Sequence, residues 1–203
     1  MSDGKQKWVY AFEEGDGRNK MLLGGKGANL CEMTRIGLNV PPGFVITTDG
    51  CLAYLADSQH RLPDGVMDEV RTHMASLERQ SGKRFGGGED PLLVSVRSGS
   101  AMSMPGMMDT ILNLGLNETT LAALIRRTRN ERFGYDAWRR FVQLFGKVAL
   151  GVPDALFDEQ FEAVKTGVGV KSDVMLGADE LREIGDRFLQ VVQRHTGRPF
   201  PSD

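Results

Sequence analysis

Between residues 7 and 12, aromatic and β-branched residues alternate with other types, which predicts a short strand. A polar, glycine-containing turn follows at 13–19. From Gly27 the spacing turns helical: Ala28, Leu30, Cys31 and the run 33–36 share one apolar face, and Gly37 ends it. The bend Val40-Pro41-Pro42-Gly43 is rigid, because each proline fixes its own φ and restricts the residue before it. Residues 44–47 predict a strand, with Thr48 or Asp49 capping a helix that runs through Leu55. A longer amphipathic helix over 63–80 places Val66, Val70, Met74 and Leu77 on one face. A turn at 82–90, a buried strand at 91–96, a loop of glycine, serine and methionine at 97–108 and a strand at 109–116 follow.

After Asn117 the texture changes to helix alone, over 118–128, 131–150, 153–165 and 178–196, with Asn117 and Asp154 as N-caps. The expected class is therefore α+β. A mixed α/β subdomain spans 1–116 and a mainly helical one spans 117–203. The tail Pro199-Phe200-Pro201-Ser202-Asp203 is turn-rich with no sign of a finished sheet, so the fold is expected to be incomplete at its C-terminus. There is no internal repeat and no low-complexity tract.

At 203 residues the chain can bury one substantial core or two smaller ones. A composition of 40% hydrophobic and 26% charged residues is that of an ordinary globular protein. A net charge of -2 supplies no electrostatic pull toward nucleic acid or an anionic membrane. No apolar run approaches the roughly 20 residues that span a bilayer. The polar start, residues 1–8, does not resemble a secretory signal. Cys31 and Cys51 lack metal or redox spacing and read as buried thiols of a reducing, cytoplasmic compartment. The 25 glycines are the unusual feature, and many gather in two segments.

The first segment is Leu23-Gly24-Gly25-Lys26-Gly27-Ala28-Asn29-Leu30. Glycines before a helix let a ligand approach the backbone, and the helix start offers N–H groups and a partial positive charge suited to phosphate. Lys26 adds a full charge. The spacing is not that of a Walker A loop, since no Ser or Thr follows the lysine. A tight turn with a solvated lysine reads the same residues equally well.

The second segment runs Val96-Arg97-Ser98-Gly99-Ser100-Ala101-Met102-Ser103-Met104-Pro105-Gly106-Met107-Met108-Asp109-Thr110. An arginine at the end of an apolar strand can be held so that its guanidinium grips a phosphate in bidentate fashion. The small polar loop after it could close over phosphate oxygens. The alternative is a flexible loop whose methionines pack, with Arg97 in a surface ion pair. Asp109 is assigned to loop hydrogen bonding or a turn cap rather than to a metal, and Glu89 and Asp90 to a turn. His60, His73 and His195 read as surface histidines. The basic run Arg126, Arg127, Arg129, Arg132, Arg139 and Arg140 reads as a solvated helix face.

Taken together, Leu22 to Leu30, Gly37 and Val40 to Thr47 resemble the start of the pyruvate, phosphate dikinase and phosphoenolpyruvate synthase group. Val96-Arg97-Ser98-Gly99-Ser100-Ala101 through Ser103-Met104-Pro105-Gly106-Met107-Met108-Asp109-Thr110, of which the synthases share only the arginine-serine part, together with Leu112 to Asn117, Arg139 to Gly146 and His195-Thr196-Gly197, resemble the dikinases specifically. The resemblance implies an ATP-grasp-type domain in which two subdomains sandwich ATP or AMP. It implies that Lys26 and Arg97 contact ATP phosphates. The phosphate-loop candidates are Gly24, Gly25 and Gly27, with Ser98, Gly99, Ser100, Ala101, Met102, Ser103, Met104, Pro105 and Gly106 in a loop that closes over the nucleotide. The family reaction turns ATP, inorganic phosphate and pyruvate into AMP, diphosphate and phosphoenolpyruvate, through a phosphohistidine and with Mg2+.

On that resemblance the magnesium carboxylates, the carrier histidine and the pyruvate-binding barrel lie beyond Asp203. No histidine here stands in the carrier motif, so none of these residues is assigned a catalytic role and the fragment alone is expected to be inactive. Full-length relatives are expected to be homodimers. Two alternatives remain: a synthase-type phosphotransferase, which the Met-Pro-Gly-Met-Met loop argues against, and a non-catalytic nucleotide-binding protein, should the natural chain be this short.

Overall fold

A computed structural model describes residues 6–99 and 110–201. Among these lie seven α-helices and three two-stranded sheets, a mixed α and β architecture. The chain divides into two compact units, one built on residues up to Gly82 and one holding 83–97 and 110–201. The sequence suggested a boundary near Leu116, where strand gives way to helix. Packing instead groups the strands at 84–114 with the helices that follow.

In the first unit, β1 (Val9–Ala11) and β2 (Phe44–Ile46) pair antiparallel, with Tyr10 opposite Val45. Between them runs α1 (Lys20–Arg35), and α2 (Thr48–Ala56) and α3 (Val66–Ser81) follow. The buried face of α1, Leu23, Ala28 and Cys31, packs on Tyr10, Phe12, Leu22 and Val45. The Glu69 carboxylate on α3 accepts the N–H groups of Trp8 at 2.9 Å and Val9 at 2.8 Å, which ties the edge of β1 to that helix. A single carboxylate satisfying two strand donors is a charge-assisted pairing that no local pattern around Glu69 announces.

The cap of α2 is Thr47, whose side chain accepts from Gly50 N at 3.2 Å, rather than Thr48 or Asp49. Helix α1 begins at Lys20, seven residues before Gly27, because Asn19 caps it by accepting from Leu22 N at 3.1 Å. Cys31 is fully buried as expected, but Cys51 on α2 is exposed.

In the second unit, β3 (Arg84–Phe85) runs parallel to β4 (Pro91–Leu92), and β5 (Val94–Arg97) pairs antiparallel with β6 (Thr110–Leu114) across a bulge between Val94 and Val96. The strand expected to be buried at 91–96 is thus two strands. Past the bulge its residues are exposed, because β6 rather than β5 contributes Ile111 to the core. Four helices follow: α4 (Glu118–Thr128), α5 (Glu131–Leu150), α6 (Asp154–Gly167) and α7 (Ala178–Thr196). Asn117 and Thr120 form a reciprocal capping box at the start of α4. Asp154 is not a side-chain cap. It is the first residue of α6, and its carboxylate takes Lys147 at 2.8 Å and Gln143 at 3.1 Å.

The core joins Trp138, Phe141 and Val142 of α5 to Leu181, Ile184 and Phe188 of α7. The α7 positions recur every three or four residues, as a single buried helix stripe requires. Phe157 of α6 meets Phe188 edge-on with centroids 5.0 Å apart. Fully burying one such ring contributes about 1.5–3 kcal/mol.

The basic run is a solvated face only in part: Arg126, Arg127, Arg129 and Arg140 are exposed, but Arg132 and Arg139 turn inward. Arg139 is buried, bound to Asp136 at 2.6 Å and stacked 4.8 Å over the Phe161 ring, and burial pushes its pKa down from the usual value. Arg132 donates to the carbonyls of Leu176, Asp173 and Val174. Arg126 and Arg127 pair with Glu89 and Asp90, so those two carboxylates tie the 83–90 turn to α4.

Candidate functional site

The glycine-rich segment folds into two helical pieces joined at one residue. Asp16 accepts from Arg18 N at 3.0 Å, Asn19 caps the first piece, and Leu23 N donates to Asn19 O at 3.0 Å. Gly24 then leaves the helix at φ 68° and ψ 163°, and the helix resumes to Arg35. This is a region of φ,ψ space that essentially glycine alone occupies. A ψ near 163° in place of about -42° turns over the peptide that carries Gly25 N–H. In an unbroken helix the N–H groups of Gly25 and Lys26 would bond the carbonyls of Met21 and Leu22. The break releases them and creates a fresh helix start at Gly25, with its partial positive charge.

Gly27 has a different reason. A Cβ there would lie 2.9 Å from both methyl groups of Val45, so its absence lets α1 sit directly on β2. Lys26 lies between these two glycines in the first turn of the resumed helix and is half-buried rather than fully solvated. It has no ion-pair partner among the described residues. One further side chain reaches the break. The Thr48 hydroxyl, from the first residue of α2, approaches the carbonyls of Met21 and, at 3.3 Å, Leu22. In the sequence Thr48 reads only as a helix cap.

The second segment is partly in view. Arg97 ends β5 opposite Thr110, is exposed, and also has no ion-pair partner among the described residues. Ser98 and Gly99 are exposed, and the space around Gly99 is open. Ser100, Ala101, Met102, Ser103, Met104, Pro105, Gly106 and Asp109 lie outside the described residues. The structure therefore brings Gly24, Gly25, Lys26 and Gly27 together at one turn. Lys26 and Arg97 belong to different units.

Downstream, the Leu112 to Asn117 motif is structural. Asn113 takes a positive φ of 59°, and the Asn117 amide donates to Gly86 O at 3.1 Å. Among the described residues no three His, Cys, Asp or Glu side chains gather as a metal site. The described residues by themselves do not fit a magnesium ion. No helix among the described residues is long and apolar enough to cross a membrane.

Residues 20–61 match the family described as Pyruvate phosphate dikinase, AMP/ATP-binding domain. That match starts on the first residue of α1 and takes in the Gly24 break, β2 and α2. Pyruvate, phosphate dikinase of Entamoeba histolytica is 57% identical over 195 residues, which is 96% of this chain and 22% of the relative. The chain is a relative of the pyruvate, phosphate dikinases. The Clostridium symbiosum dikinase is 46% identical over 198 residues, 97% of this chain and 22% of its own length. The chloroplastic dikinase 1 of Arabidopsis thaliana is 46% identical over 202 residues, 98% of this chain and 21% of its own length. The chain thus spans about a fifth of the length of the curated relatives it matches.

Proposed function

We propose that this chain supplies part of the ATP-binding domain of a pyruvate, phosphate dikinase. The whole enzyme would convert ATP, inorganic phosphate and pyruvate into AMP, diphosphate and phosphoenolpyruvate. The observation that carries the reading is the break at Gly24, where the helix stops and restarts beside Lys26. Phosphoryl transfer asks a protein mainly to position phosphates and offset their charge. Backbone donors at a helix start and a lysine without a carboxylate partner among the described residues suit that task. Arg97, at the end of β5 and likewise without a carboxylate partner among the described residues, is proposed as a second phosphate ligand, with residues 98–106 as the loop that covers it.

The larger fold is proposed to be of the ATP-grasp type, with Mg2+ held by carboxylates outside these residues. Pyruvate, phosphoenolpyruvate and inorganic phosphate would be partners of the complete enzyme, a homodimer. Two free thiols, Cys31 and Cys51, support a reducing, cytoplasmic setting. By itself the chain is proposed to bind nucleotide weakly and to catalyse nothing.

The test is charge removal in the complete enzyme, with Lys26→Met and Arg97→Met. Both should fold with unchanged melting temperature and lose ATP-dependent phosphorylation of the enzyme by roughly tenfold or more, the loss of one charge-assisted bond or more. Wild-type phosphorylation in both variants refutes the assignment.

A further inference from the structure

We infer that Thr48 is a positioning residue for the phosphate site, holding the Gly24 break open by taking over the two carbonyls that the released N–H groups abandon. The inference rests on the phosphate reading of Gly24 to Gly27 and adds a residue outside that motif.

A carbonyl in the middle of a helix expects the N–H four residues on. For Met21 and Leu22 those donors belong to Gly25 and Lys26, and the Gly24 dihedrals carry them away. Met21 is exposed and water can serve its carbonyl, whereas Leu22 is half-buried, so it is the Leu22 carbonyl whose loss of a donor is costly and favours closing the break back into a continuous helix. The Thr48 hydroxyl supplies the missing donor. Its one proton is shared between the Met21 carbonyl, the nearer, and the Leu22 carbonyl at 3.3 Å. The two carbonyls it serves are the two that the break orphans.

Thr48 is well placed to do this without moving. It is the first residue of α2, whose start is fixed by Thr47, a buried residue that caps the helix through Gly50 N and donates its own N–H to Trp8 O at 2.9 Å. Its β-branched side chain has few χ1 choices, so the hydroxyl is preset toward α1. The consequence is functional. With Met21 and Leu22 satisfied by Thr48, the N–H groups of Gly25 and Lys26 are not drawn back into the helix and stay available to phosphate oxygens beside the Lys26 ammonium.

The test uses Thr48→Val, which keeps shape and loses the donor, and Thr48→Ser, which keeps the donor. In the complete enzyme Thr48→Val should raise the KM for ATP about fivefold, the value of one neutral hydrogen bond, and leave the KM for pyruvate unchanged. Thr48→Ser should return the KM for ATP to within about twofold of wild type. In this chain, labelled with 15N, amide exchange at residues 25–27 should differ between wild type and Thr48→Val and be restored by Thr48→Ser.

An unchanged KM for ATP in Thr48→Val overturns the inference. So does equal impairment in both variants, which would mean a packing role. Lys26→Met separates the two readings. If it leaves ATP kinetics untouched the phosphate reading fails, whereas the amide exchange still reports whether Thr48 holds the break.

Discussion

Replacing Gly24 by alanine tests the break from which the phosphate reading is built. At φ 68° and ψ 163° an L-residue sets its Cβ against its own backbone. Residues forced into such sparsely populated regions cost about 1–3 kcal/mol. Alanine also restricts the unfolded chain, which returns about 0.4–1 kcal/mol. The net loss is therefore about 1–2 kcal/mol. If the first unit unfolds by itself, each kcal/mol lowers its melting temperature by roughly 4–8 °C in a unit of this size. The assay is thermal unfolding followed by circular dichroism, with Gly37→Ala as the reference. Gly37 also has a positive φ, 81°, with no neighbouring atom within 4 Å of an added Cβ, so it reports the ordinary left-handed penalty alone. Gly24→Ala should melt below wild type and should weaken ATP binding by the complete enzyme, because the cheapest relief is to straighten the helix. A Gly24→Ala protein as stable as wild type, with unaltered ATP binding, would refute both the strain and the role given to the break.

Other expectations follow from single contacts. Gly27→Ala drives a Cβ to 2.9 Å from the stiff Val45 methyls, and its overpacking cost of about 1–3 kcal/mol should outweigh the helix propensity of about 1 kcal/mol that alanine gains, as read by urea denaturation. Gly146→Ala meets the Phe157 ring at 2.7 Å and should destabilise the second unit by about 1–3 kcal/mol, with no effect on thiol exposure in the first. Thiol titration with a chromogenic disulfide should report Cys51 at once and Cys31 only on unfolding, since burial raises the Cys31 pKa and shields its sulfur. The Asp154 carboxyl is held below its usual value of 3.8, chiefly by the Lys147 hydrogen bond. Its small, salt-screened contribution is thus present above about pH 4 and lost as pH falls through the lowered value, so Asp154→Asn should flatten the acid limb of melting temperature against pH at low salt.

The helices were legible because their signals are local. Asn117, the alternation of apolar positions along α7 and the glycines after α5 and α7 lie within a turn of the ends they mark. What escaped is what depends on distant partners. Thr47 caps α2, although its neighbour Thr48 is the same residue type, because Thr47 keeps an extended backbone while Thr48 already turns with the helix. Cys51 and Cys31 look alike in sequence, and only the packing of α1 on β1 and β2 tells which is buried. The glycine-rich segment was recognised as a phosphate candidate, but its helix was begun at Gly27. No propensity rule distinguishes a glycine that precedes a helix from one that interrupts it.

The disposition of the cations narrows the phosphate assignment in a way the motif alone does not. An arginine-rich stretch such as 126–140 is, by charge, the stronger anion attractor, yet five of its six arginines, all but Arg129, are engaged elsewhere. Arg126 and Arg127 face carboxylates, Arg132 serves three carbonyls, Arg139 is buried between Asp136 and Phe161, and Arg140 also binds Asp136. Recruiting any of them to a ligand would break an existing contact and leave a carboxylate or carbonyl short of its donor, a cost set against whatever the ligand returns. Lys26 and Arg97 have no such contact to lose among the described residues. A phosphate approaching Lys26 gains a full charge and the N–H groups of the restarted helix without breaking an ion pair among the described residues, and this difference, more than the presence of a lysine among glycines, favours that turn as the place where phosphate binds.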